Sequence, residues 1–95
     1  MNLQHNSYNS LEVLIATQNR TSLDFLLKMF PDHNFKDFKI LIVNQTIKGQ
    51  DLTSNSDAIR VINSYEKGLS KSRNLALQNA SCNIALISDD DVIYL

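Results

Sequence analysis

The sequence predicts an α/β fold, a parallel sheet of about four strands with helices on both faces. Four short apolar runs carry the expectation: Leu11-Glu12-Val13-Leu14-Ile15-Ala16, Phe38-Lys39-Ile40-Leu41-Ile42-Val43, Ile59-Arg60-Val61-Ile62 and Ile84-Ala85-Leu86-Ile87. They are rich in Ile, Val and Leu and mostly continuous, the pattern of strands covered on both faces. Helical periodicity falls between the first and second runs and again between the third and fourth. The last run discharges directly into Asp89, Asp90 and Asp91, as a buried strand does when its C-terminal end delivers a site.

Each element follows in order. After the first run, Leu23, Leu26, Leu27 and Phe30 fall at i, i+3, i+4 and i+7, one stripe of a helix. Thr21 or Ser22 can cap it, and Asp24 stands three after Thr21, close to a capping box. Pro31 stops it, because proline disfavours helical backbone in the residue before it. The polar segment from Gln45 to Asp57 reads as a loop with room for one short helical turn. Gly68 turns the chain into a second helix, with Ser70 as candidate cap and Leu69, Ala76, Leu77 and Ala80 on one face. The order β-α-β-loop-β-α-β describes a Rossmann-like unit.

Size and composition bound the rest. Ninety-five residues make one small domain, residues 11–95, preceded by a flexible polar arm from Met1 to Ser10. Net charge is −1, so bulk electrostatics give no reason to bind nucleic acid or an anionic membrane. The lone Cys82 excludes an internal disulfide and a cysteine-based zinc cluster, and fits a reducing compartment. The opening stretch has no apolar signal core, and no segment reaches the roughly 18 apolar residues of a membrane span. The expectation is a soluble cytoplasmic protein, with membrane association in function left open.

Ligands of an open parallel sheet sit beyond the C-terminal ends of its strands. The first strand ends in Thr17, Gln18, Asn19 and Arg20, the second in Asn44, Gln45 and Thr46, the fourth in Ser88 and the aspartates. All should face one crevice. Against this stands the plainer reading that strand ends are polar because they meet solvent. Three adjacent carboxylates repel one another and invite a counter-charge, most simply a divalent cation.

The second helix opens Leu69-Ser70-Lys71-Ser72-Arg73-Asn74. Cations there oppose the helix dipole by about a few tenths of a kcal/mol each, and a docked phosphate or diphosphate would offset that. Arg73 can instead pair with the aspartates, and both can hold at once. His5 and His33 lack motif partners and read as surface residues; Cys82 reads as partly buried and not nucleophilic. No glycine-cradled phosphate loop and no serine-hydrolase elbow is present.

Four blocks stand in order: Val13-Leu14-Ile15-Ala16-Thr17-Gln18-Asn19-Arg20, Ile40-Leu41-Ile42-Val43-Asn44-Gln45-Thr46, Gly68-Leu69-Ser70-Lys71-Ser72-Arg73-Asn74, and Ile84-Ala85-Leu86-Ile87-Ser88-Asp89-Asp90-Asp91. From about Leu11 onward the chain resembles the N-terminal, nucleotide-binding half of a family 2 glycosyltransferase with the GT-A fold. The resemblance implies transfer of a sugar from a nucleotide-diphosphate donor, often UDP-linked, to an acceptor hydroxyl on a glycan, lipid or protein. It makes Asp89 and Asp91, around Asp90, a D-x-D element holding Mg2+ or Mn2+; an alternative alignment pairs Asp89 with Asp90. It places Thr17 to Arg20 along the nucleoside, Asn44 and Arg73 near the base, and Lys71 within reach of phosphate.

Three departures bear on the donor. Ala16 stands where the family has proline, Gln18 where it has an aromatic, and Asn44 where it has aspartate. The chain also stops soon after the acid triplet, before the family's acceptor site and general base. The expectations are therefore a truncated unit that transfers no sugar alone, and a cut sheet edge that invites a homodimer. The competing reading is a non-catalytic nucleotide-binding or interaction module. A receiver domain is set aside because Thr17, Gln18 and Asn63 occupy its acid positions. A haloacid-dehalogenase-type phosphatase carries its D-x-D on the first strand, not the fourth.

Overall fold

A computed structural model of the chain describes residues 11–31 and 38–94. The expected arm, His5 and His33 lie outside the described residues. Four strands form one sheet in the order β3-β2-β1-β4: β1 (Leu11–Gln18), β2 (Lys39–Gln45), β3 (Ile59–Ser64) and β4 (Ile84–Asp89). Every neighbouring pair is parallel. The expected four-strand parallel sheet is what the chain forms.

One helix covers each face. On β1, Val13 and Ile15 point to one side with Ile40 and Ile42 of β2, against α1 (Phe25–Met29). Leu14, Leu41 and Val43 point to the other, against α2 (Leu69–Gln78). Since β1 and β2 are central and covered twice, their runs are apolar at consecutive positions.

Both helices depart in detail from expectation. α1 is a single short piece that buries Phe25, Leu26 and Met29, while Leu27 is 63% exposed. With only five residues its inward face is the Phe25/Leu26/Met29 set, and Leu23 packs from the preceding turn. Ser22 accepts a hydrogen bond from the Asp24 N–H at 3.1 Å, but neither it nor Thr21 caps the helix. Phe30 leaves helical backbone immediately before Pro31.

α2 is capped by Gly68, not Ser70. Gly68 has φ +122°, a conformation that side-chain-bearing residues avoid, and its N–H donates to Gln45 Oε1 at 3.0 Å. The helix buries Ser72 and Ala76, whereas Leu69 and Leu77 are exposed. Small residues at i and i+4 let the helix lie close on β1 and β2, with Leu75 and Ala80 packing at its flanks.

β4 is the main correction. Its apolar run was expected to be buried, yet Ile84 is 60%, Leu86 42% and Ile87 46% exposed. It is an edge strand, and neither helix spreads over it. The polar loop after β2 holds a turn in which Gln50 N–H donates to the Ile47 carbonyl, with Gly49 at φ +93°. It is a turn of the kind that places glycine third, not a helical turn. The loop then buries Leu52 against the α1 side. Among the described residues no helix is long and apolar enough to cross a membrane.

A polar clamp ties the strands together away from the site. Glu12 is fully buried, accepts from Arg60 at 3.0 Å and from the Ser81 N–H at 2.8 Å. Arg60 also donates to the Asn79 carbonyl at the end of α2. These hydrogen bonds offset the cost of burying the carboxylate.

Candidate functional site

The sheet gathers its chemistry at the C-terminal ends of β1 and β4. Their register sets Ala16 beside Asp89, so the residue after each, Thr17 and Asp90, meet. Thr17 donates to Asp90 Oδ2 at 2.5 Å and accepts from Arg20 Nε at 3.0 Å. Arg20 Nη2 reaches the same carboxylate oxygen at 3.1 Å, and its guanidinium lies 4.5 Å above the Phe25 ring. Burial pushes the Asp90 carboxyl up. The Thr17 hydroxyl and the Arg20 guanidinium outweigh it and hold the group below its ordinary value of 3.8.

The turn that presents Arg20 is fixed from beneath. Asn19 adopts φ +54°, which asparagine tolerates, and its N–H donates to the Gln45 carbonyl at 2.8 Å. Fully buried Asn44 accepts from the Arg20 N–H at 3.0 Å and donates to the Arg20 carbonyl at 2.9 Å and to Asn63 Oδ1 at 3.1 Å. Asn63 in turn exchanges two hydrogen bonds with the Leu52 backbone, each at 2.9 Å. The Asn44 carboxamide is thus spent on the scaffold. It does not face the cleft, where a base-reading residue was expected.

A second pair closes the other side. Arg73 of α2 donates to Asp89 Oδ1 at 2.9 Å, while its Nε is buried without a hydrogen-bond partner among the described residues. Arg73, Asp89, Asp90, Asp91, Thr17 and Gln18 line one cleft of about 470 Å3, together with Gln45, Leu69 and Ser72. Asn19 and Arg20 do not line it. They open instead onto a neighbouring cleft of about 520 Å3 beside α1, which shares Asp90 and Asp91. The expected Thr17-to-Arg20 wall is therefore split by Asp90. Lys71 is in neither; it is exposed and sits 3.8 Å from Glu66.

Tyr94 is a site-supporting residue that sequence reasoning missed. Its hydroxyl donates to Ser88 Oγ at 2.7 Å, its N–H donates to the Met29 carbonyl at 2.6 Å, and its ring stacks on Phe30 at 5.0 Å. These contacts pin the chain on either side of the acid triplet. Its aromatic character was the available signal.

Two of the three carboxylates are paired with arginines, and Asp91 is exposed without an ion pair among the described residues. Those residues hold no group of three His, Cys, Asp or Glu side chains suited to a metal ion. A divalent cation here would take one or two protein carboxylates and complete its shell with phosphate and water oxygens. Mg2+ ordinarily binds phosphate ligands in that way. The donor set fits a ligand-borne cation and not a protein-only cage. No protein-family model, no curated protein and no solved structure matches the chain.

Proposed function

We propose that the chain binds the diphosphate of a nucleotide sugar, UDP-linked first among candidates, in the cleft between β1, β4 and α2, as the donor-binding part of a GT-A-type glycosyltransferase. The observation that carries the reading is the convergence of Arg73, Thr17 and the Asp89–Asp91 triplet on one cleft at the C-terminal ends of parallel strands. Arg73 supplies a planar cation for phosphate oxygens. Asp91, with Asp89 or Asp90, would hold Mg2+ or Mn2+ on the diphosphate. Bound there, the cation would stabilise charge on the departing diphosphate as a Lewis acid. Gln18 and Gln45 present neutral donors and acceptors at the cleft wall, in keeping with a nucleoside whose base identity is left to the assay.

Among the described residues the cleft is lined by no carboxylate or histidine outside the triplet. Activation of an acceptor hydroxyl ordinarily needs a positioned base, so this favours donor binding by the 95-residue chain without transfer. Calorimetric titration with UDP, ADP and a UDP-sugar, with and without Mn2+, tests the proposal. Metal-dependent binding of a nucleoside diphosphate supports it. No binding of any of them overturns it, and turnover by the purified chain would overturn the separation of binding from transfer.

A further inference from the structure

We infer that Gln45 selects the base of the nucleotide, favouring a keto base, uracil or guanine, over its amino counterpart, cytosine or adenine. The inference rests on the donor-site reading above and deepens it. Strand alternation decides which residue at the end of β2 meets a ligand. Leu41 and Val43 point to the α2 side, Ile40 and Ile42 to the α1 side. Asn44 continues the second set and is bound beneath the Arg20 turn. Gln45 continues the first and lines the cleft. Gln18 stands beside it, paired with it in register at the end of β1, and lines the cleft too.

The cleft is polarised along the sheet. The acid triplet and Arg73 hold its charge at the β4 end. Gln45 and Gln18, at the ends of β2 and β1, make its other end neutral. A nucleoside diphosphate is polarised in the same sense, so its diphosphate and cation belong with the acids and its base with the glutamines. Leu69 follows the Gly68 that Gln45 holds, lines the cleft and is 48% exposed, an apolar surface for the face of a base. The edge of the base farthest from the ribose then meets Gln45. Its carboxamide is oriented by its other contact. The Gly68 N–H only donates, so the atom it meets at 3.0 Å is Gln45 Oε1. That leaves Nε2, itself only a donor, for the ligand. A ring carbonyl at that edge accepts from it, whereas an exocyclic amine sets donor against donor and leaves both unpaired.

Calorimetric titration in Mn2+ with two matched pairs tests this: UDP against CDP, and inosine diphosphate against ADP. Each pair exchanges carbonyl for amine at the edge in question. The keto member should bind about tenfold more tightly, the scale of one hydrogen bond replaced by an unpaired donor. Gln45→Glu keeps an acceptor for the Gly68 N–H and replaces the donor by a second acceptor, so the preference should reverse. The added charge repels every diphosphate alike and cancels in the ratio. A Gln45 that only braces Gly68 would leave the ratio unmoved, and circular dichroism checks that the variant folds. Equal affinity within each wild-type pair overturns the inference and leaves the donor-site reading standing. A keto preference that persists in folded Gln45→Glu also overturns it. Binding of no nucleotide overturns both.

Discussion

Arg73 and Asp89 meet at 2.9 Å, joining the start of α2 to the end of β4 across the candidate cleft. Both side chains are roughly half exposed, so the pair adds little to stability. Its value is positional: a cation is held beside three carboxylates, and in the proposed function it exchanges partners with an incoming diphosphate.

Replacing Arg73 should therefore affect ligand more than fold. Arg73→Ala is expected to weaken UDP binding about ten- to thirtyfold, the scale of a lost charge-assisted hydrogen bond. Arg73→Lys should recover part of that, lacking the planar fork. Titration calorimetry reads both, with thermal unfolding as the control that stability is nearly unchanged.

Asp90 sets a pH dependence whose sign follows from its partners. Its folded pKa lies below 3.8, so the stability contributed by the Thr17 and Arg20 contacts is complete above the unfolded value. It is lost as pH falls through the folded pKa. Asp90→Asn should lower the urea midpoint at neutral pH, and the gap to wild type should close in acid below 3.8. A gap that stays constant with pH would refute the assignment.

Asn44 should behave as a structural residue. Asn44→Ala leaves the Arg20 backbone N–H and carbonyl without their side-chain partner and removes one of the two hydrogen bonds that Asn63 Oδ1 accepts, at a fully buried position. A cost of about 2–4 kcal/mol is expected in urea denaturation, along with loosening of the Arg20 turn visible as faster amide exchange there.

Glu12 and Arg60 should be coupled. Arg60→Met strands a fully buried carboxylate and is expected to cost about 2–3 kcal/mol, at the low side for a buried pair because Arg60 is partly exposed. Adding Glu12→Gln should restore part of the loss, since the neutral amide keeps its acceptor for Ser81. A double-mutant cycle by chemical denaturation measures the coupling.

The chain's local pattern determined a great deal. Consecutive Ile, Val and Leu in β1 and β2 fix doubly covered strands, Pro31 and Gly68 fix where one helix stops and the other starts, and polar strand ends mark where the candidate cleft lies. Run composition reports burial only when a neighbour exists to do the burying. Ile84 to Ile87 read as core, yet the tertiary structure leaves them at an edge, since neither α1 nor α2 packs over β4 among the described residues. Side-chain direction is equally invisible in one dimension. Asn44 and Lys71 stand among site residues in the sequence, but the fold turns one into the scaffold and the other toward Glu66. Thr17 and Arg20 find Asp90 because parallel register aligns strand ends that are some seventy residues apart, while Arg73 reaches Asp89 from the helix that packs beside them. Sequence chose the chemical groups and the strands that bear them. Which groups touch was decided by strand order and register, since those alone set distances between residues remote along the chain.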